Sequence, residues 1–203
     1  MIPPLFWIVE IGAACAFAAA ARISARRCGV ALNFRDRKAA ALLAGGVSAG
    51  VAVFAGHPRL DDAIAFAVVA AAGAVCAASD AASGFVFDAV TIPAFTMLLV
   101  AAGVNGRLAS SIAGAASACG VIVAIYAATR GRGIGLGDAK LAACIGAALG
   151  VRASLCALGI AFVAGALCGV AALLFRRIDR RAEIRFAPYL AAGTIAAVLW
   201  QTA

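Results

Sequence analysis

The chain has 203 residues, of which 66% are hydrophobic and only 13% charged. Soluble domains are roughly half apolar and about a quarter charged, so this composition, with a mean hydropathy of +1.07, excludes an ordinary soluble enzyme and describes an integral membrane protein. A net charge of +8 could point to nucleic acid in a soluble protein. Here the basic residues sit in a few short loops, which reads as membrane topology and contact with anionic lipid, and no nucleic-acid partner is expected.

Apolar segments fall at about 3–21, 39–56, 63–79, 89–104, 108–128, 139–150, 153–175 and 186–202, most of them long enough to cross a bilayer. They are too long and too little alternating for barrel strands. The expected fold is therefore all-α, a polytopic transmembrane helical bundle of about eight membrane segments forming a single domain over 1–203. Loop 22–38 carries Arg22, Arg26, Arg27, Arg35, Arg37 and Lys38, loop 129–140 carries Arg130, Arg132 and Lys140, and loop 176–185 carries Arg176, Arg177, Arg180, Arg181 and Arg185. Only Arg59, Arg107 and Arg152 of the 17 Lys and Arg lie elsewhere. The positive-inside rule places those three loops in the cytoplasm and both termini outside.

The segment 139–150 is short. Twelve helical residues span about 18 Å, less than the roughly 30 Å hydrocarbon core. Were it not to cross, five arginines of loop 176–185 would end up outside, so the charge rule predicts that it crosses and leaves Asp138 recessed from the cytoplasmic surface. Small residues, as in Gly45-Gly46, Gly114 to Gly120 and Gly165 to Gly169, predict close helix packing. The seven cysteines, at 15, 28, 76, 119, 144, 156 and 168, form no CxxC pair and read as packing residues, with no zinc site or disulfide frame expected. Glu10 is the one stray acid within the apolar runs, and His57 falls in a short external loop.

Two acids carry the chemical signal. Gly133-Ile134-Gly135-Leu136-Gly137-Asp138-Ala139-Lys140 precedes the short apolar segment. An acid opening an apolar helix can simply cap it, complementing the helix dipole. Asp80, however, ends an apolar helix, where the carbonyl end of the dipole opposes its charge and capping gives no reason for it. An acid at the edge of a membrane is costly unless paired or protonated, which marks it as a functional candidate. The loop that follows, Ala81 to Asp88, is cytoplasmic by topology yet has no basic residue; Asp88 reads as a cap on the next segment. Two carboxyls brought to one partly dry site share a proton, one acting as base on a water and one as acid. That pair hydrolyses peptide bonds without metal or cofactor.

These residues resemble the prepilin peptidases, membrane aspartic proteases of the GxGD type, over most of the chain from about Ala31 onward. Gly135-Leu136-Gly137-Asp138-Ala139-Lys140-Leu141 is similar to the family's second catalytic motif. Asp80 and Asp88, with seven residues between them, are similar to its first, in which the leading Asp is catalytic. Phe186-Ala187-Pro188-Tyr189-Leu190 is similar to its Phe-Gly-Pro-Tyr/Phe-Leu signature. The resemblance implies Asp80 and Asp138 as catalytic residues, with Gly135, Gly137, Lys140 and Asp88 supporting the motifs. It implies a multi-pass protein of the bacterial inner membrane that cuts a prepilin or pseudopilin at the cytoplasmic face, after a Gly ending a basic leader. Phe87 stands where the family has Pro, and Ala187 where it has Gly. Larger members carry paired CxxC motifs in a cytoplasmic insertion and methylate the new N-terminus; this chain has only Cys28 there, so the resemblance is to the short, peptidase-only form of Flp/Tad pilus systems. The substitutions at 87 and 187 also admit a catalytically inactive component of pilus or secretion-system assembly.

Overall fold

The computed structural model describes residues 4–30, 60–131, 133–175 and 185–202. The apolar segment 39–56, His57, the side chain of Glu10, residues 31–38 of the first basic loop and residues 176–184 of the last lie outside the described residues. Six helices make up the described chain: α1 (Pro4–Arg27), α2 (Leu60–Ser83), α3 (Asp88–Val104), α4 (Leu108–Ala128), α5 (Leu136–Leu174) and α6 (Ala187–Thr202). No strand occurs among the described residues, and the protein is an all-α membrane bundle. By length and apolar composition α2, α4 and α5 can each cross a membrane, and α3 and α6 are shorter apolar helices.

The bundle is built around α2. Its Ala71, Ala72, Val75, Cys76 and Ala78 have no exposed surface at all. Small side chains let neighbouring backbones approach, which is how membrane helices gain packing when lipid is as apolar as they are. Large apolar residues point outward instead, among them Val104, Val163 and Leu167, as expected of a surface that meets hydrocarbon.

Helix α5 is the element that gives the fold its shape. It is one continuous stretch except at Gly150, whose φ of 75° and ψ of −178° fall in a region essentially restricted to glycine. Contacts on either side show what this break does. In the arm before it, Lys140 pairs with Asp88 and Cys144 approaches the carbonyl of Thr91, so the arm runs alongside α3 in the same direction. In the arm after it, Gly165 faces Phe186 while Ala157 and Ala161 face Gly193 of α6, an antiparallel pairing. Helix α6 in turn starts beside Asp80 and reaches Gly73 by Ala191, antiparallel to α2. The chain therefore reverses at Gly150, and the sequence segments 139–150 and 153–175 are its two arms. The first arm begins three residues earlier than its apolar run, at Leu136, because Gly137 and Asp138 are already helical.

The reversal is packed backbone against backbone on α4. A Cβ on Gly114 would lie 2.7 Å from the Cα of Gly150, and one on Gly146 would lie 2.7 Å from the amide nitrogen of Ala115. One end of the bundle thus gathers Asp80, Asp88, Lys140 and Ala187. Asn105, Arg107 and Ser111 meet Ala147 and Ala148 at the other.

Candidate active site

Asp80 occupies the last turn of α2 and is 7% exposed. The helix stops one turn later at Gly84, which has a φ of 75° and donates its N–H to the carbonyl of Asp80 at 2.8 Å. The left-handed conformation is one that glycine adopts without steric cost. Phe85 and Val86 then lead to Phe87, the N-cap of α3, whose backbone is extended (φ −87°, ψ 133°).

The opposing dipole of α2 is offset from an unexpected quarter. The Oδ2 of Asp80 accepts a hydrogen bond from the backbone N–H of Ala187 at 3.3 Å. That N–H is the first of α6, and a helix N-terminus offers free donors and a positive dipole end. The other first-turn groups are already accounted for. Phe186 carbonyl accepts from the N–H of Tyr189 at 3.0 Å and of Leu190 at 3.1 Å, and Pro188 has no N–H. Phe186 is held by Phe162 of α5, with ring centroids 4.9 Å apart, so the donor is fixed by packing. Arg185, just before α6, lies within electrostatic reach of Asp80.

Asp138 is 8% exposed and sits at the third position of α5. The N-cap is Gly135, not Asp138, so the capping expected from the sequence is corrected in detail. The Oδ2 of Asp138 reaches back to the Gly135 N–H at 3.3 Å, while its own N–H donates to the Gly135 carbonyl at 3.2 Å. This is the reciprocal half of a capping box. Gly137 is small for a specific reason, since a Cβ there would lie 2.9 Å from the Cβ of Val86. The loop after Asp80 and the loop before Asp138 therefore touch at Gly137.

A second link joins the same two loops. Asp88 was expected to cap α3, but that helix has no side-chain cap bond; Asp88 instead forms an ion pair with Lys140 of α5, both side chains being about half exposed. The two acids lie close enough for their charges to interact. Among the described residues each carboxyl is held through Oδ2 only. Among the described residues Thr91 Oγ1 is the one fully buried side-chain oxygen or nitrogen without a partner, so the unbonded Oδ1 atoms of Asp80 and Asp138 keep accessible surface. No cluster of three His, Cys, Asp or Glu side chains among the described residues is placed to hold a metal ion.

Residues 63–170, more than half of the chain and enclosing both acids, match the model of the type IV leader peptidase family. The chain belongs to the type IV leader peptidase family. It is similar to the prepilin leader peptidase/N-methyltransferase of Bacillus subtilis (strain 168), with 41% identity over 108 residues, which are 52% of this chain and 44% of that relative. The chain thus matches less than half the length of this relative. No solved structure matches it.

Within this leader peptidase fold, the two departures from the family motifs have simple consequences. Phe87 is 6% exposed and supplies the carbonyl that accepts from Val90 and Thr91, a role its backbone fills whatever the side chain. Ala187 contributes its backbone N–H, which any residue but proline would offer. Sequence reading found the acids and their glycines but missed Ala187, Arg185 and Val86 as their neighbours. The signal for the first was present in the Phe186 to Leu190 motif, which had no assigned task until α6 was seen to start on Asp80.

Proposed function

We propose that this chain is an aspartic endopeptidase of the bacterial inner membrane. It removes the basic leader from prepilins or pseudopilins at the cytoplasmic face, with Asp80 and Asp138 as its catalytic pair. The observation that carries the reading is the pairing of two buried acids from separate helices at one end of the bundle. Among the described residues each is fixed by one backbone N–H through one oxygen, and the other oxygen has no partner. One carboxylate takes a proton from a water, whose oxygen attacks the scissile carbonyl carbon. The other, protonated, carboxyl donates to the carbonyl oxygen, and the C–N bond breaks as the leaving amine takes up a proton. Gly135, Gly137, Asp88 and Lys140 hold the two acid-bearing loops together. The activity is peptidase alone, as in Flp/Tad-type systems, because the sequence has no CxxC pair.

The test is cleavage of a prepilin in membranes containing this chain as the sole added peptidase, followed by N-terminal sequencing of the product. Asp80→Asn and Asp138→Asn should each abolish cleavage while inserting normally, and Asp88→Asn should keep much of it. Full activity in either of the first two would sink the assignment. Because the pair works with one proton between its members, the wild-type rate should fall on both sides of an optimum pH; a flat profile would exclude paired acid and base chemistry.

A further inference from the structure

A lateral groove of about 1010 Å³ opens along the second arm of α5, starting near the reversal at Gly150. Arg152, Cys156, Ile160, Val163 and Leu167 form its floor, and Trp200 of α6 closes one end. Arg152 forms no hydrogen bond or ion pair with any described residue, and among the described residues it is the only charged one lining the groove. A guanidinium at the edge of the hydrocarbon attracts an anionic headgroup. Trp200 is 84% exposed beside it, and tryptophan is enriched where hydrocarbon gives way to headgroups. The groove therefore has a cationic, aromatic mouth and an otherwise apolar body.

From Arg152 to Leu167 the floor is about 22 Å long at 1.5 Å per helical residue, more than half of a roughly 30 Å hydrocarbon core. We infer that this groove is a binding site for one anionic phospholipid, its phosphate on Arg152 and an acyl chain along Ile160, Val163 and Leu167. The charge pattern selects this occupant. A transmembrane helix of another chain, or of a second copy, would be apolar along its length and would leave Arg152 unpaired. A phospholipid is charged at one end only, as the groove is. The proposal does not depend on the chemistry of Asp80 and Asp138.

Native mass spectrometry of the full chain in detergent, titrated with phosphatidylglycerol or phosphatidylcholine of matched acyl chains, tests it. Wild type should hold phosphatidylglycerol roughly fivefold more tightly, the scale of one basic residue acting on an anionic headgroup. Arg152→Gln should erase that preference and Arg152→Lys should largely keep it. A Cβ at Gly159 would meet nothing within 4 Å, so Gly159→Phe should fill the groove without disturbing the bundle and weaken both lipids. Equal retention of the two lipids by wild type, or an undiminished preference in Arg152→Gln, would overturn the proposal. So would a dimer peak that Gly159→Phe removes, since a second copy would then be the occupant.

Discussion

Ala187 is the residue on which the placement of Asp80 turns, although its side chain contributes only a methyl group. Among the described residues its N–H is the single hydrogen-bond donor to the Asp80 carboxyl, and a bond to a charged acceptor is worth about 1.5–3 kcal/mol. Ala187→Pro removes that donor while suiting the first position of a helix, so it should lower the cleavage rate at least roughly tenfold with helical content unchanged. Ala187→Gly should retain the rate; a prepilin cleavage assay with circular dichroism on the same samples checks both. Thr91 gives the opposite case. Its hydroxyl is buried without a partner among the described residues, and replacing an unsatisfied polar group by an apolar one of the same shape is neutral or stabilising. Thr91→Val should therefore leave the melting temperature equal or higher, and a clear fall would show that the hydroxyl is engaged. Asp138 was legible in the sequence because its glycine setting is local, confined to positions 133–137. The anchor of Asp80 was not, since Ala187 stands 107 residues away and only the folded bundle joins them.

Among the elements, α5 shows how far hydrophobic pattern carries and where it stops. The run 108–128 coincides with α4, because charged or polar turns bound it on both sides. The runs 139–150 and 153–175 were separable only by Gly150 and Arg152, and nothing local says that the backbone there reverses. That property comes from a dihedral pair open only to glycine and from the fit of Gly114 against the turn. Gly150→Ala forces a side chain into that region, at a cost of about 1–3 kcal/mol. Gly114→Ala overpacks a backbone contact, which costs a similar amount. Gly159→Ala meets open space in a helix interior, where alanine is favoured by up to about 1 kcal/mol. Unfolding in mixed micelles should therefore rank Gly159→Ala at or above wild type and both other variants clearly below it. Equal stability of all four proteins would mean that the reversal is not held by these glycines.

For the whole molecule, the distribution of charge and the direction of each helix give the same alternation by independent routes. Sequence puts the loops 80–88 and 129–138 on one side because alternate connections collect the basic residues. Packing puts them at one end because Val86 touches Gly137 and Asp88 pairs with Lys140. The start of α6 joins them there through Ala187 and Asp80, and this requires both arms of α5 to traverse the bundle. The first arm is short, about 18 Å from Asp138 to Leu149, so the membrane must thin or Arg152 must snorkel for it to cross. Single cysteines introduced into a cysteine-free background report this directly. Residues 84 and 131 should react with a membrane-impermeant maleimide only after the cytoplasmic face is opened, and residues 106 and 152 without opening. A cysteine placed at 185 decides the matter, because it follows the second arm. Labelling of 185 from outside would mean that the chain does not cross between 139 and 150, and the acids would then lose the donor that Ala187 brings to them.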